Sequence, residues 1–355
     1  MSDLSISGSA VKRVFTRARG RNNEGIVALV IILLFVVVGS IDSGFWSAAT
    51  VFNVFRNSIE PLVFALGVFL ILLVGGIDVS FDAIGIFAAY SVALIVSHGL
   101  LGGNLALLFL IAAGIGLGLG FVNAVVVSIF RLPVLIVTLG TRGIFVGIML
   151  ALIGSSYVTD LPVSITNFGT AYLVRTQAGS SSVGLHVLII PVAFICIAIA
   201  LALKYTVFGR GIYAIGGDEE AARRVGIAVG FTKTVVFCCA GLLAGVAGMI
   251  HVSLIGYANP QDIVGNELVV IAAVVFGGAS IFGGRGSVGG TVLGVLTLEL
   301  IQYSLIALKV PSSWDNVAIG GMLLIGMMLQ VARHGSGRRA RHRLRMRRQL
   351  SGVDA

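Results

Sequence analysis

Charge is what this sequence has least of. Charged residues fill 11% of its 355 positions and hydrophobic residues 57%, and mean hydropathy is +1.05. A water-soluble domain needs a charged exterior, so that class is excluded. Acids are scarcer than bases, 15 against 24. Most of the bases lie at the two ends and in one central connection. Cysteine is nearly absent: Cys196, Cys238 and Cys239 lie in or beside apolar runs, without metal or redox spacing. They read as small core hydrophobes. No glycine-rich loop ends in Gly-Lys-Ser or Gly-Lys-Thr, and the Gly283–Gly290 run lacks the lysine that would reach a phosphate. No hydrolase triad or zinc spacing is found. The chain is therefore expected to be no enzyme and to carry no cofactor of its own.

What the chain has is apolar runs, from Gly25 to Val331, with short connections. A helix needs roughly 20 apolar residues to cross a hydrocarbon core of about 30 Å. Continuous runs of Leu, Ile, Val, Ala and Gly exclude a β-barrel, which alternates. The expected fold is all-α, a polytopic membrane protein of about ten spans. These run about Ile26–Ser40, Pro61–Gly75, Ala83–Ser97, Leu105–Phe130, Val134–Gly154, Leu185–Leu203, Thr234–Leu254, Leu268–Phe282, Val288–Leu308 and Val317–Val331. Phe45–Asn57 reads as an interfacial amphipathic stretch. Ser155–Gly184 reads as an aqueous loop.

Basic residues set the orientation. Lys12, Arg13, Arg17, Arg19 and Arg21 precede the first span. Arg333, Arg338, Arg339, Arg341, Arg343, Arg345, Arg347 and Arg348 follow the last. Both tails are expected in the cytoplasm, which requires an even span count. Arg131, the Lys204–Lys233 connection and Arg285 then also fall inside. The outer segments carry only Arg56, Arg175 and Lys309. A net charge of +9 reads as retention beside anionic lipid, not as nucleic-acid binding. No convincing cleavage site follows the N-terminal basic cluster. The division is 1–25 basic tail, 26–332 transmembrane domain and 333–355 Arg-rich tail.

Glycine occurs 48 times. In lipid it lets helix backbones approach, as at Gly114, Gly116, Gly118, Gly120, Gly241, Gly245 and Gly248. Gly75-Gly76-Ile77-Asp78-Val79-Ser80-Phe81-Asp82 breaks a hydrophobic run and adds two carboxylates. Such a break must be lined by protein or water. Asp78 and Ser80 are candidate caps of the next helix. Asp78 and Asp82 are equally candidates for a path or gate, since intramembrane carboxylates are costly. Topology places this break toward the cytoplasm. Phe276–Ser287 is a second Gly-Gly break, read as its counterpart in an inverted repeat of two five-span halves. Glu299 lies inside the ninth span, one turn from Gln302, either as a structural acid or as a proton-coupling one.

Phe208–Ile227 is the densest charged segment between spans. Asp218 is placed to cap a short helix with Glu219 and Glu220 in its first turn and Arg223 and Arg224 in its last. That order complements the helix dipole, and Gly226 ends the helix. A cytoplasmic amphipathic helix between spans suits contact with a soluble partner.

Four ordered segments resemble one family: GGIDVS at Gly75–Ser80, RLPVLIVTLG at Arg131–Gly140, FGRGIYAIGGDEEAARRVGI at Phe208–Ile227 and AVVFGGASIFGGRGSVGGTVL at Ala273–Leu293. The chain resembles the ribose-type permease subunits of bacterial ABC importers, over nearly all of its apolar region. The resemblance implies import of a monosaccharide or related small polyol across the bacterial inner membrane. It implies a dimer of permease subunits, identical or sister chains, and an extracytoplasmic solute-binding protein. It also implies an ATPase subunit that holds ATP and Mg. Gly217, Asp218, Glu219, Glu220, Ala221, Ala222, Arg223 and Arg224 would couple to that ATPase. Many relatives read GGIDLSVG at the first break, whereas here Phe81 and Asp82 replace a small neutral pair. Path or gate candidates are Asp78, Ser80, Phe81, Asp82, Asn123, Thr138 and Thr141. The competing expectation is an ion-coupled secondary carrier using Asp78, Asp82 or Glu299.

Overall fold

The computed structural model describes residues 24–178, 181–311 and 313–328. Both basic tails, and the retention role expected of them, lie outside the described residues. Helix α1 (Glu24–Ile41) leads through a 3-10 turn (Ser43–Trp46) into α2 (Ala48–Leu73). After a break come α3 (Phe81–Ser97), α4 (Leu105–Phe130) and α5 (Val134–Ile148), the last extended by a π turn, Met149–Ile153. A short α6 (Val163–Gly169) precedes a hairpin of β1 (Tyr172–Ala178) and β2 (Ser181–His186). Then follow α7 (Ile189–Tyr205), α8 (Val207–Gly217), α9 (Glu219–Arg224) and α10 (Val229–Ile255). The chain continues with α11 (Glu267–Phe276), α12 (Val288–Ala307) and a helix α13 over 313–328.

Six of these, α1, α2, α4, α5, α10 and α12, are long and apolar enough to cross a membrane. The bent pair α7 and α8, turned by 77°, brings the number to seven among the described residues. The protein is an α-helical polytopic membrane protein. Two expectations need correction. The polar loop Ser155–Gly184 contains α6 and an antiparallel hairpin, which pairs Arg175 with Gly184 and Thr176 with Val183. Among the described residues the fold remains all-α, with this one hairpin outside the helices. The stretch Phe45–Asn57 is not a separate interfacial helix either: from Ala48 onward it is the start of α2. Ser47 caps that start by accepting the Thr50 amide at 3.3 Å. Arg56 and Asn53 then find tertiary partners. Arg56 Nη2 donates to the Leu254 carbonyl (3.1 Å), and Asn53 Nδ2 to the Tyr303 hydroxyl (3.4 Å).

Helices α2 and α10 form the central pair, with 72% and 67% of their apolar windows buried against 17% for α1. Arg56 meets Leu254, Glu60 meets His251 and Gly67 faces Ala240, so the two run antiparallel. Helix α4 packs on an adjoining face of α10, through Gly241 and Gly245 next to the Ala240 that meets α2. A Cβ on Gly116 or Gly120 would run into the backbone of Phe237, Gly241 and Gly245. Only glycine permits that approach, and close backbone contact is the main attraction between helices in lipid. Gly114 and Gly118 point to open space.

Each central helix ends in the same way. Helix α2 stops at left-handed Gly75 (φ 84), and extended chain leads to the shorter α3. Helix α10 stops at left-handed Gly256 (φ 83), and residues 257–266 lead to the shorter α11. Phe81 packs against Phe64, the rings tilted by 52° with centroids 5.4 Å apart, about two-thirds of the way along α2. At 1.5 Å per residue, α3 therefore begins roughly 13 Å short of the Leu73 end. The Gly265 amide donates to Asp82 Oδ2 at 3.1 Å, so the approach to α11 lies at the same level. The counterpart of the Gly75–Asp82 break is thus 256–266, not Phe276–Ser287. Likewise, that first break does not stay at one end of the bundle but climbs to its middle.

Candidate functional site

The sequence-derived path residues come together around the first break. Asp78 Oδ1 accepts both the Ser80 amide and the Ser80 hydroxyl, each at 2.7 Å. Ser80 Oγ in turn accepts from Asn123 Nδ2 on α4 at 2.8 Å. Thr138 Oγ1 on α5 accepts the Val79 amide and donates to the Ile77 carbonyl, both at 3.3 Å. Thr141 donates back to the Thr138 carbonyl. All of these side chains, with Phe81 and Asp82, are buried. The reason is backbone supply. Extended residues 76–80 cannot satisfy their own polar groups, so neighbouring helices must offer partners. Ser80 stands at the N-cap of α3 but makes no side-chain cap bond there, and Asp78 serves Ser80 rather than the helix. The cap expectation is corrected to a bridge between helices.

Arg142 and Glu267 complete the level above, and neither was singled out from sequence. Arg142 Nη2 pairs with Glu267 Oε1, and its Nε lies 3.8 Å from Asp82 Oδ2. One guanidinium from the middle of α5 thus faces two carboxylates, each in the first turn of a short helix. Acids are favoured at helix N-termini, and the cation between them limits their mutual repulsion. Asp82 is completely buried. The signal in the sequence was a lone arginine within an apolar run.

A third polar cluster closes the opposite end of the central pair. His251 Nδ1 lies 2.8 Å from Glu60 Oε2, and its Nε2 lies 3.8 Å from Asp262 Oδ2. Segment 256–266 is therefore held by Asp262 and by paired bonds between Val158 and Ala258 (2.9 Å each). Glu299 is buried on α12, and no bond joins it to Gln302 among the described residues.

At the Leu73 end, three glycine pairs meet. The Gly284 amide donates to the Leu73 carbonyl at 3.0 Å. A Cβ on Gly216 would collide with Leu73 O and Gly284 N, and one on Gly283 would stand 2.8 Å from Gly75 Cα. Immediately after Gly216 and Gly217 comes α9. Asp218 Oδ1 accepts the Ala221 amide at 3.0 Å, as a cap should, and left-handed Gly226 (φ 87) follows the helix. Glu219 pairs with Arg223 (3.0 Å) and Lys233 (2.7 Å), and Glu220 with Arg224 (3.1 Å). The Lys233 ammonium holds the Glu219 carboxyl below the ordinary glutamate range. Ala222 is buried against the bundle, whereas the Glu220 and Arg224 side chains are 79% and 73% exposed. Helix α9 thus presents a charged outer face from a fixed base.

Residues 50–327 match the family described as branched-chain amino acid transport system / permease component. The chain belongs to this permease family. The autoinducer 2 import system permease protein LsrC of Yersinia enterocolitica serotype O:8 is 33% identical over 308 residues, covering 87% of this chain and 82% of the relative. LsrC of Yersinia pestis (strain Pestoides F) is 33% identical over 312 residues, covering 87% and 84%. LsrC of Yersinia pseudotuberculosis serotype O:1b is 31% identical over the same shares. No solved structure matches. This permease is the membrane-spanning subunit of an ABC importer, a multi-pass protein of the bacterial inner membrane. Its role is transport.

Proposed function

We propose that this permease forms half of a central path that opens alternately to the two sides of the membrane. A separate ATPase holding ATP and Mg drives it. The observation that carries this reading is the attachment of α9. A capped, exposed charged helix follows within three residues of Gly216, which touches the end of α2 through Leu73 and the turn before α12 through Gly284. Movement of α9 by a docked partner would bear on the first break and on the turn before α12 at once. Gly217–Arg224 is the coupling segment in this reading, and Asp78, Ser80, Phe81, Asp82, Asn123, Thr138 and Thr141 belong to the gate.

Ten apolar helices, α1 to α5, α7 and α10 to α13, support ten spans with both tails in the cytoplasm. Arg131, Arg223 and Lys233 gather near one end of the bundle, as the positive-inside rule requires. The paired architecture of α2 with α3 and α10 with α11 supports an inverted repeat of five-span halves. A second permease subunit, identical or sister, completes the path, and an extracytoplasmic binding protein delivers the solute. The relatives named for autoinducer 2 import point to a small, hydroxylated, sugar-like solute for this chain also.

The test is reconstitution. The permease, co-purified with its ATPase and binding protein in proteoliposomes, is expected to import a labelled sugar-like solute only with ATP. The Glu219→Lys/Glu220→Lys variant is expected to lose uptake while the binding protein still docks. Uptake by the permease alone, driven by a proton gradient, would refute the ATPase-driven reading.

A further inference from the structure

Asp78 is a buried carboxylate that no cation of the protein reaches. It is 2% exposed, and no basic group lies within ion-pair distance of it among the described residues. The neighbouring buried acids are served differently: Asp82 and Glu267 share Arg142, and Glu60 and Asp262 share His251. The two Ser80 bonds to Asp78 Oδ1, both 2.7 Å, have the short length of charge-assisted bonds and suit an ionised carboxylate. A buried charge is costly unless something of opposite sign compensates it.

Asn123 points to the same place. The single Ser80 hydroxyl proton goes to Asp78, so Ser80 Oγ must accept from Asn123 Nδ2. That fixes the amide nitrogen toward Ser80 and leaves Asn123 Oδ1 as the free end. Asn123 is 0% exposed, and Oδ1 has no hydrogen-bond partner among the described residues. Asp78 Oδ2 accepts no hydrogen bond either, nor do the carbonyls of Gly76, Asp78 and Val79 along the extended break. Intramembrane oxygens without donors are rare, because lipid offers no water to serve them. A proton on Asp78 would remove the charge, but one donor cannot serve all of these acceptors.

We propose that the first break binds a sodium ion between Asp78 and Asn123. The donors are hard oxygens with neither sulfur nor imidazole among them. One carboxylate balances one positive charge, whereas a calcium site ordinarily gathers several acids. Unwound backbone carbonyls inside the membrane are a recurrent sodium site in transporters. Bound there, the ion offsets the Asp78 charge and ties the extended chain to α4. The site lies among the gate residues of the proposed function, but ion binding does not depend on what drives the gate.

The experiment uses the full chain purified in detergent, with choline chloride keeping ionic strength constant. Radiolabelled sodium is titrated by equilibrium dialysis, and thermal unfolding is followed against sodium chloride. Saturable retention is expected, displaced by unlabelled sodium and not by choline. The unfolding midpoint should rise with the logarithm of sodium concentration, as linkage to a folded-state ligand requires. Asp78→Asn should weaken retention about tenfold or more and flatten the rise in midpoint, since the charged ligand is lost. Asn123→Ala is the second variant should Asp78→Asn not fold, and it should weaken retention in the same direction. No saturable retention by the unaltered chain would mean that a proton alone neutralises Asp78, and it overturns the proposal. Retention unchanged in a folded variant overturns it as well. Because the permease is measured alone, a negative result leaves the ATPase-driven reading standing, and failure of ATP-driven uptake leaves the ion site standing.

Discussion

The Gly284 amide and the Leu73 carbonyl are hydrogen-bonded across 3.0 Å, although 211 positions separate them. That bond ties the end of α2 to the turn before α12, and Gly216 of α8 lies against both partners. The junction is built from main chain. Gly216→Ala is expected to overpack it and to lower stability by about 1–3 kcal/mol. Thermal unfolding in detergent measures this. An unshifted midpoint would show that the junction yields more easily than its geometry implies.

Arg142 stands between two buried carboxylates on different helices. Arg142→Met is expected to destabilise by about 3 kcal/mol or more, because Asp82 and Glu267 lose their compensating cation. Adding Asp82→Asn and Glu267→Gln should recover part of the loss. Denaturant titration of the three proteins decides the matter. An equal loss in the single and the triple variant would mean that packing, not charge, explains the effect.

Glu219 is held below the ordinary glutamate value of 4.5, chiefly by its bond to Lys233. Its folded pKa is depressed, so the tie to α10 is fully present above that value. It fades as pH falls through the lower folded value. A carboxyl-labelled sample followed by NMR should show a midpoint below that of free glutamate. Lys233→Gln should move the midpoint upward, and salt should weaken the tie, because the pair is partly exposed.

His186 sits under the hairpin, fully buried, and burial lowers its pKa. The Leu188 amide donates to Nδ1 (3.2 Å), and Nε2 lies 3.2 Å from the Gly169 carbonyl, an arrangement suited to the neutral ring. The unfolded ring binds a proton first, so stability is full above the unfolded value of 6.5 and declines as pH falls. Amide exchange at Leu188 should accelerate, beyond its intrinsic pH trend, between about pH 7 and about pH 5. His186→Phe should abolish that extra pH response.

Long apolar runs were legible in the sequence because lipid demands them residue by residue. The α9 cap was legible too, since Asp218 and Gly226 mark its two ends with local chemistry. The start of α2 was not. Asn53 and Arg56 gave it an interfacial look, and only their distant partners Tyr303 and Leu254 account for them. The hairpin at Tyr172–His186 was hidden for a similar reason: polar residues in a loop carry no apolar alternation. The breaks misled through their letters. Gly-Gly was matched with Gly-Gly, whereas the structure repeats a shape, a long helix ending on one left-handed glycine. Among the path candidates, the Asp78–Ser80–Asn123 chain joins residues 45 apart in sequence, which no local pattern announces.

The place where Gly75, Gly216 and Gly284 converge has no rotamers to switch and no side chain to swing aside. Any displacement of α8 must travel onward as a shift of whole peptide planes. A junction of that kind stores little slack.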